Sequence, residues 1–282
     1  MSAKCRDRAE ACECVKLVQV LGSRLGMAPT VIVKSENVGI RTQRETAAQR
    51  VIANFGNQIP DRRLLCFFDD TDWQPFKDRF GKENRAFYGP LREEALPDWP
   101  DYVRRHIFVP LSAPKVAFDH VIYLYGSTCS SLLALTMSFA HELQHFVQHE
   151  NVRLLWAANS LLPHLDGSVI SALELRWCDI PHEREARIVS KRTAENLFGV
   201  GDVNRYVDAK IAESTTDGDR TDWECIRGLD TSTHYDLALE TMLFFQRRLK
   251  DYIPELEKAL QRMPADFSAD VDLRKLLGRT SA

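Results

Sequence analysis

The sequence lacks any apolar run long enough to cross a bilayer. The best candidate, residues 132–140, is too short and is interrupted by Thr136 and Ser138. No signal-peptide core follows the charged start of the chain. These two absences predict a protein of the cytoplasm with no membrane partner.

The chain also lacks a surplus of charge of either sign. Its 37 basic and 40 acidic residues give a formal net charge of −3. A protein that binds nucleic acid is expected to carry a basic surplus or stripe, so we predict no nucleic-acid partner. The apolar share of 44% is ordinary for a globular protein, which excludes a mainly disordered chain.

The cysteines also lack the even number and regular spacing of a disulfide framework. The seven cysteines are odd in number and scattered, and without a secretion signal they are expected to be reduced thiols. Cys12 and Cys14 resemble half of a metal-binding clip, but no second pair matches them. We interpret them as two positions on an N-terminal helix.

Apolar periodicity places the predicted strands in the first half of the chain and most helices in the second. Early helices are expected at residues 8–26 and 44–55, and strands at residues 30–38, 64–68, 106–111 and 116–125. Later helices are expected from Ser130 or Ser131 to Asn151, and at residues 152–162, 183–198, 202–212 and 235–263, the last broken at Pro254. This order favours an α+β fold, with one domain over residues 1–200 and a helical C-terminal portion, 201–282, packed on it.

Two segments have no regular pattern. Residues 69–104 form an irregular insert rich in proline and aromatic side chains, which suits either a functional lid or a surface excursion held by its own aromatics. Residues 215–222 are expected to form a polar loop. Apolar positions of the final helical stretch are expected to face the core; they are Leu239, Met242, Leu243, Leu249, Tyr252 and Ile253.

Residues 139–147, FAHELQHFV, contain the motif H-E-x-x-H. His141 and His145 are four positions apart on a predicted helix, so both imidazoles point the same way and can bind one zinc ion. Glu142 is one step further round the helix, where a carboxylate can act on a water at the metal. A separate apolar face anchors the helix to the core; it comprises Phe139, Leu143, Phe146 and Val147.

A catalytic zinc site normally takes a third protein ligand, for which residues 179–187, DIPHEREAR, are the candidates. Pro181 suits the first turn of a helix. On that helix Glu183 lies on the apolar side, whereas Glu185 points roughly 120° away. A carboxylate on a buried stripe needs a partner such as zinc, although Glu183 could instead complement the helix dipole. We predict Glu183 as the third ligand, with His182 and Glu185 as alternatives.

An H-E-x-x-H helix followed by E-x-E-A on a later helix resembles the gluzincin group of zinc metallopeptidases, in particular the ImmA/IrrE-type and HtpX-type proteases. The resemblance covers about residues 30–200 and implies a zincin-like core, a small mixed sheet with an active-site helix. It implies that His141, His145 and Glu183 bind Zn²⁺ and that Glu142 is the catalytic base. Residues 116–125 occupy the place of the edge strand that aligns substrate in zincins.

The sequence departs from these families at several positions. Arg187 stands where an Asp or Asn often follows E-x-E-A and where an Asp would support a ligand histidine, so another partner is required. Asn151 stands where metzincins have a third histidine, and no membrane spans accompany the motif. Tyr206, His234 and Tyr235 are candidate oxyanion donors. His149 is expected to be solvent-exposed rather than to support the metal ligands.

We therefore expect a zinc metallopeptidase that hydrolyses peptide bonds of a protein or peptide substrate, with a regulatory protein partner as a further hypothesis. One alternative is a catalytically inactive zincin-like module that binds zinc and serves regulation or protein interaction. A second is a metal-dependent enzyme that acts on a small amide or a modified nucleotide.

Overall fold

A computed structural model describes residues 28–69, 86–91, 104, 118–263, 265–269 and 271–278. The predicted helix at residues 8–26, with Cys12 and Cys14, and the predicted strand at 106–111 lie outside the described residues. Within the described ranges, no helix has the length and apolar character needed to cross a membrane.

The described strands form one mixed sheet of four: β1 (Thr30–Lys34), β2 (Leu64–Asp69), β3 (Ala86–Pro90) and β4 (His120–Tyr125), in the order β1-β2-β4-β3. β1, β2 and β4 are parallel, and β3 pairs antiparallel with β4. Every residue of β2 and β4 is buried, as expected for central strands covered on both faces. The fold is α+β, as predicted.

The edge strand beside β4 was assigned wrongly from the sequence. The strand predicted at residues 116–125 corresponds to β4, which lies between β2 and β3 and is therefore not an edge. Among the described strands the edge beside β4 is β3, which falls inside the segment predicted to be irregular. Its five residues, AFYGP, end in Gly and Pro and show no alternation, so pairing with β4 stabilises a strand that local pattern does not predict.

Helix α1 (Val38–Phe55) begins earlier than predicted, and β1 ends correspondingly earlier than residue 38. The reason is a cap: the Asn37 side chain accepts a hydrogen bond from the backbone N–H of Ile40 at 3.1 Å. α2 (Leu132–Asn151) begins after Ser131, whose hydroxyl accepts from the N–H of Ala134, so the predicted start is confirmed.

The main core lies between the sheet, α1 and α2. Phe139 of α2 is fully buried and packs edge-on against Phe68 of β2, with ring centroids 5.1 Å apart. Leu135, Leu143 and Phe146 continue the same face of α2 into the core. This packing fixes the helix that carries the H-E-x-x-H motif onto the central strands.

The second half of the chain is helical, as predicted. It comprises α3 (Arg153–Ser160), α4 (Gly167–Ala172), α5 (Pro181–Phe198), α6 (Val200–Glu213), α7 (Asp217–Gly228), α8 (Leu237–Phe244), α9 (Ile253–Arg262), α10 (Ala265–Ser268) and α11 (Leu273–Leu276). α5 packs along α2, and α6 packs on α5. The division of the chain near residue 200 stays a prediction.

Two expectations about this half are wrong. The polar loop predicted at 215–222 is largely the start of α7, because the Thr216 hydroxyl accepts from the N–H of Asp219 and α7 keeps its polar side chains at the surface. Leu239 and Met242 are exposed although Leu249 is buried. A π-helical turn at Phe245–Leu249 separates them, and its extra residue changes the helical phase, so positions on either side do not share a face.

We expect Phe139→Ala to lower the free energy of unfolding by about 3–5 kcal/mol, because it removes a fully buried ring between α2 and the sheet. Leu154→Ala, on the exposed side of α3, is the matched control and should change it by less than about 0.5 kcal/mol. Urea unfolding of both variants measures the difference. Equal losses would contradict this account of the core.

Candidate metal centre

One potential ligand atom from each of His141, His145 and Glu183 lies within 4.8 Å of the other two. The Nε2 atoms of the two histidines are 3.0 Å apart. The Glu183 carboxylate places Oε2 3.3 Å from His141 Nε2 and Oε1 3.4 Å from His145 Nε2. Ligands bonded at about 2.0–2.1 Å to a tetrahedral zinc ion are separated by about 3.3 Å, close to all three distances.

Glu183 reaches this point because it lies in the first turn of α5. Pro181 occupies the start of the helix, where its missing N–H costs no helical hydrogen bond. Ala186, one turn on, is fully buried, and the Ser190 hydroxyl donates to the Met137 carbonyl of α2 at 2.7 Å. These contacts hold the two helices close enough for side chains to meet.

The triad is strongly coupled electrostatically. Burial alone would raise the pKa of the Glu183 carboxyl, but the facing His145 and His141 hold it well below its usual range. Burial alone would lower the pKa of His145, but Glu183 and Glu142 raise it to about 9. The Glu183 carboxylate therefore stays ionised, and its negative charge favours the protonated form of His145.

The donor set fits a metal ion better than a closed network of hydrogen bonds. Glu183 Oε2 is buried and has no hydrogen bond of acceptable geometry, and two imidazole Nε2 atoms face each other. Two imidazoles and one carboxylate are a common ligand set of catalytic zinc sites. The residues present can thus hold a zinc ion and leave a further position open.

Glu142 lies beside the triad and is buried. Burial raises the pKa of its carboxyl, whereas the neighbouring histidines and a hydrogen bond from the backbone N–H of Tyr88 lower it. Tyr88 belongs to β3, which packs against α2, so the edge strand of the sheet lies close to the Glu of H-E-x-x-H. The sequence did not predict this contact, because it did not predict β3.

Of the two alternative ligands, Glu185 is hydrogen-bonded to glutamines of α2, and His182 lies against Glu183 of the triad. Glu185 accepts hydrogen bonds from Gln144 at 3.2 Å and Gln148 at 2.7 Å. The His182 ring is buried, with Nε2 3.4 Å from Glu183 Oε1 and with Nδ1 lacking a hydrogen bond. Burial lowers the pKa of His182 to about 3, so this ring is neutral.

The hydrogen-bond partner of the predicted ligand His145 is a glutamine. His145 Nδ1 and Gln148 Oε1 are 2.9 Å apart. Arg187, the departure noted in the sequence, instead forms an ion pair of 3.5 Å with Asp222 of α7. The partner that the sequence left unidentified is thus Gln148, one turn beyond His145 on the same helix.

Among the described residues, no contact joins the three candidate oxyanion donors to the triad. The ring of Tyr206 packs against Trp223, with centroids 5.8 Å apart. Tyr235 lines a cavity of about 470 Å³ with Arg184 and Glu240, and His234 is exposed. Their assignment to the oxyanion stays a prediction.

His149 is buried, at 3% exposure, so its expected exposure to solvent is wrong. It belongs to a second group with His120 and Glu150, whose potential ligand atoms are also within 4.8 Å of one another. Its position eight residues after His141, on the same face of α2, was the signal in the sequence. Trp156 stacks on His149 at 5.7 Å and contacts the His145 ring at 5.2 Å.

The second group is a chain rather than a convergence. Glu150 Oε1 is 3.1 Å from His120 Nε2, and the Tyr88 hydroxyl is 3.1 Å from His120 Nδ1 and 2.5 Å from His149 Nδ1. Burial lowers the pKa of His120. A neutral His120 that donates to Glu150 accepts from Tyr88, which in turn accepts from His149. Each successive contact can therefore pair a donor with an acceptor, without a metal ion.

No family model, curated protein or solved structure matches this chain.

In protein stripped of metal ions, the free energy of unfolding should fall as the pH rises from 6.5 to 9. The pKa of His145 is about 9 in the folded protein against an ordinary 6.5, so the stabilisation by Glu183 is fully present below pH 6.5 and lost as the pH rises through 9. The loss is on the order of 3 kcal/mol.

Urea unfolding at several pH values, with a chelator present, measures this dependence. Glu183→Gln should be insensitive to pH over that range. Glu224→Ala, which removes an exposed carboxylate on α7, should keep the wild-type slope. A flat wild-type profile would contradict the coupling of His145 to Glu183.

Proposed function

We propose that this protein is a zinc-dependent metallopeptidase that hydrolyses peptide bonds of a protein substrate. The observation that carries the proposal is the convergence of His141, His145 and Glu183 beside the buried Glu142. The mixed sheet, with an antiparallel edge strand against the helix of the motif, supports a zincin-like core.

His141, His145 and Glu183 would hold the ion. When bound, zinc lowers the pKa of a water molecule towards about 7 and polarises a carbonyl group. The ionised Glu183 and the imidazole nitrogens supply ligands of the hardness and charge that this ion prefers.

Glu142 would act as the general base and then as the general acid. Its carboxylate would take a proton from the attacking water and deliver it to the leaving amine. Burial raises the pKa of the group, which makes it a stronger base than an exposed glutamate. The main chain of Tyr88 on β3 lies beside this carboxylate.

The edge strand supports a peptide as the substrate. β3 pairs with β4 on one side only within the described ranges, so an extended peptide can add to its other side by main-chain hydrogen bonds. Such a peptide would lie beside Glu142. The same proposal includes a cytoplasmic location. It also includes a regulatory protein partner, since a peptidase among cellular proteins must be restrained.

Glu142→Gln should leave zinc bound and reduce peptide hydrolysis by at least about 100-fold, because the variant cannot accept a proton. Hydrolysis of a quenched fluorescent mixture of unfolded protein measures the rate, and elemental analysis measures the zinc. Glu224→Ala should match the wild type in both. Retained turnover in Glu142→Gln would contradict the mechanism, and zinc binding without turnover by the wild type would favour the non-catalytic zinc-binding module.

Glu183→Ala should weaken zinc binding by at least about 100-fold, since loss of a ligand exceeds the 10–100-fold cost of losing a supporting group. Competition with a chromogenic chelator gives the affinity, and the purified wild type should contain about one zinc per chain. Glu224→Ala is again the control. Unchanged affinity in Glu183→Ala would exclude the predicted ligand set.

A further inference from the structure

Two glutamines on α2 face α5 beside the metal ligands. Gln144 and Gln148 are buried, at 5% and 1% exposure, and both donate through Nε2 to the same oxygen of Glu185. Gln148 Nε2 also donates to the backbone carbonyl of His182 at 2.9 Å. A buried amide needs hydrogen-bond partners, so the partners of these two glutamines show which groups they hold in place.

The partners of Gln148 determine which way its amide points. Glu185 Oε2 and the His182 carbonyl are both acceptors, so the NH₂ group must face them. The amide oxygen therefore faces His145 Nδ1, at 2.9 Å. Because an oxygen can only accept, His145 must carry a proton on Nδ1.

This proton assignment has a consequence for the metal ligand. A neutral imidazole protonated on Nδ1 has its lone pair on Nε2, the atom that faces His141 and Glu183. The ring is also held in orientation by the same hydrogen bond. A metal ion needs both the lone pair and the orientation.

We propose that Gln148, anchored by Glu185, is the positioning residue that fixes the tautomer and orientation of His145 for metal binding. This inference rests on the proposed zinc site and deepens it. Glu185 does not contact the His145 imidazole directly. Its negative charge polarises the Gln148 amide, whose oxygen accepts the hydrogen bond from His145. The second glutamate of E-x-E-A is thus assigned to supporting a ligand, and not to the metal.

Gln144 provides a matched control on the same helix. It donates to the same Glu185 oxygen, but its own Oε1 has no hydrogen bond, so its amide oxygen does not accept from His145. A role in general packing predicts similar effects of Gln144→Ala and Gln148→Ala. A positioning role predicts that only the second matters for zinc.

Zinc affinity measured by chelator competition should fall about 10–100-fold in Gln148→Ala and stay within about threefold of the wild type in Gln144→Ala. In zinc-loaded protein, the Nδ1–H proton of His145 should give a slowly exchanging downfield NMR signal. That signal should be lost in Gln148→Ala and retained in Gln144→Ala.

Exchanging the amide at position 148 with the carboxylate at position 185 tests this series of hydrogen bonds directly. Gln148→Glu alone puts two carboxylates together, and Glu185→Gln alone removes the charged acceptor, so each should weaken zinc at least about fivefold. In the double variant Q148E/E185Q the carboxylate at position 148 accepts directly from His145 Nδ1 and the amide at position 185 donates to that carboxylate, so only the bond to the His182 carbonyl is lost and zinc affinity should return to within about threefold of the wild type. A loss through misfolding would not be rescued in this way.

Equal effects of Gln144→Ala and Gln148→Ala, or additive losses in the double variant, would overturn the positioning role. If the wild type binds no zinc, or if Glu183→Ala binds it normally, the proposed metal site fails instead. In that case the His145 Nδ1–H signal in metal-free protein still reports on the hydrogen bond to Gln148: its presence only with Gln148 intact supports that bond, and its absence overturns it.

Discussion

The site depends on the packing of α5 along α2, because that contact buries a carboxylate between two imidazoles. Burying an unpaired carboxylate costs several kcal/mol, so Glu183 is tolerated only where positive charge meets it. Ala186 is small enough for the helices to approach, and Ser190 ties α5 to the carbonyl of Met137. The same approach brings Glu185 to the glutamines of α2. The packing, the electrostatics and the hydrogen bond of Gln148 to His145 therefore all depend on one helix pair.

The two clusters of His and Glu side chains contain the same residue types but differ in how these side chains contact one another. At the triad, ligand atoms converge on one point and leave Glu183 Oε2 without a hydrogen bond. Around Tyr88, each contact can pair a donor with an acceptor, and Glu150 also accepts from Arg62 at 2.9 Å. Composition alone would predict two metal sites. The pairing of donors with acceptors favours a metal ion only at the first.

The sequence predicted the parts of the site that depend on helical spacing. His141 and His145 follow from their separation of four, and Glu183 from its place on the buried side of α5. It did not predict β3, since a strand of five residues ending in Gly and Pro depends on pairing with β4. It also missed the burial of His149 and the bond of Gln148 to His145, because both depend on which elements cover the end of α2. Contacts between elements distant in sequence have no local signal.

Tyr88 connects β3 to α2 at two points. Its main chain lies beside Glu142, and its hydroxyl contacts His149, about 10 Å further along the helix axis. β3 therefore meets α2 at two places that are two helical turns apart, and His145 lies between them. Thermodynamic reciprocity then applies: if an ion at His145 stiffens or tilts this segment and so changes the affinity of β3 for a peptide, the peptide changes the affinity for the ion by the same factor.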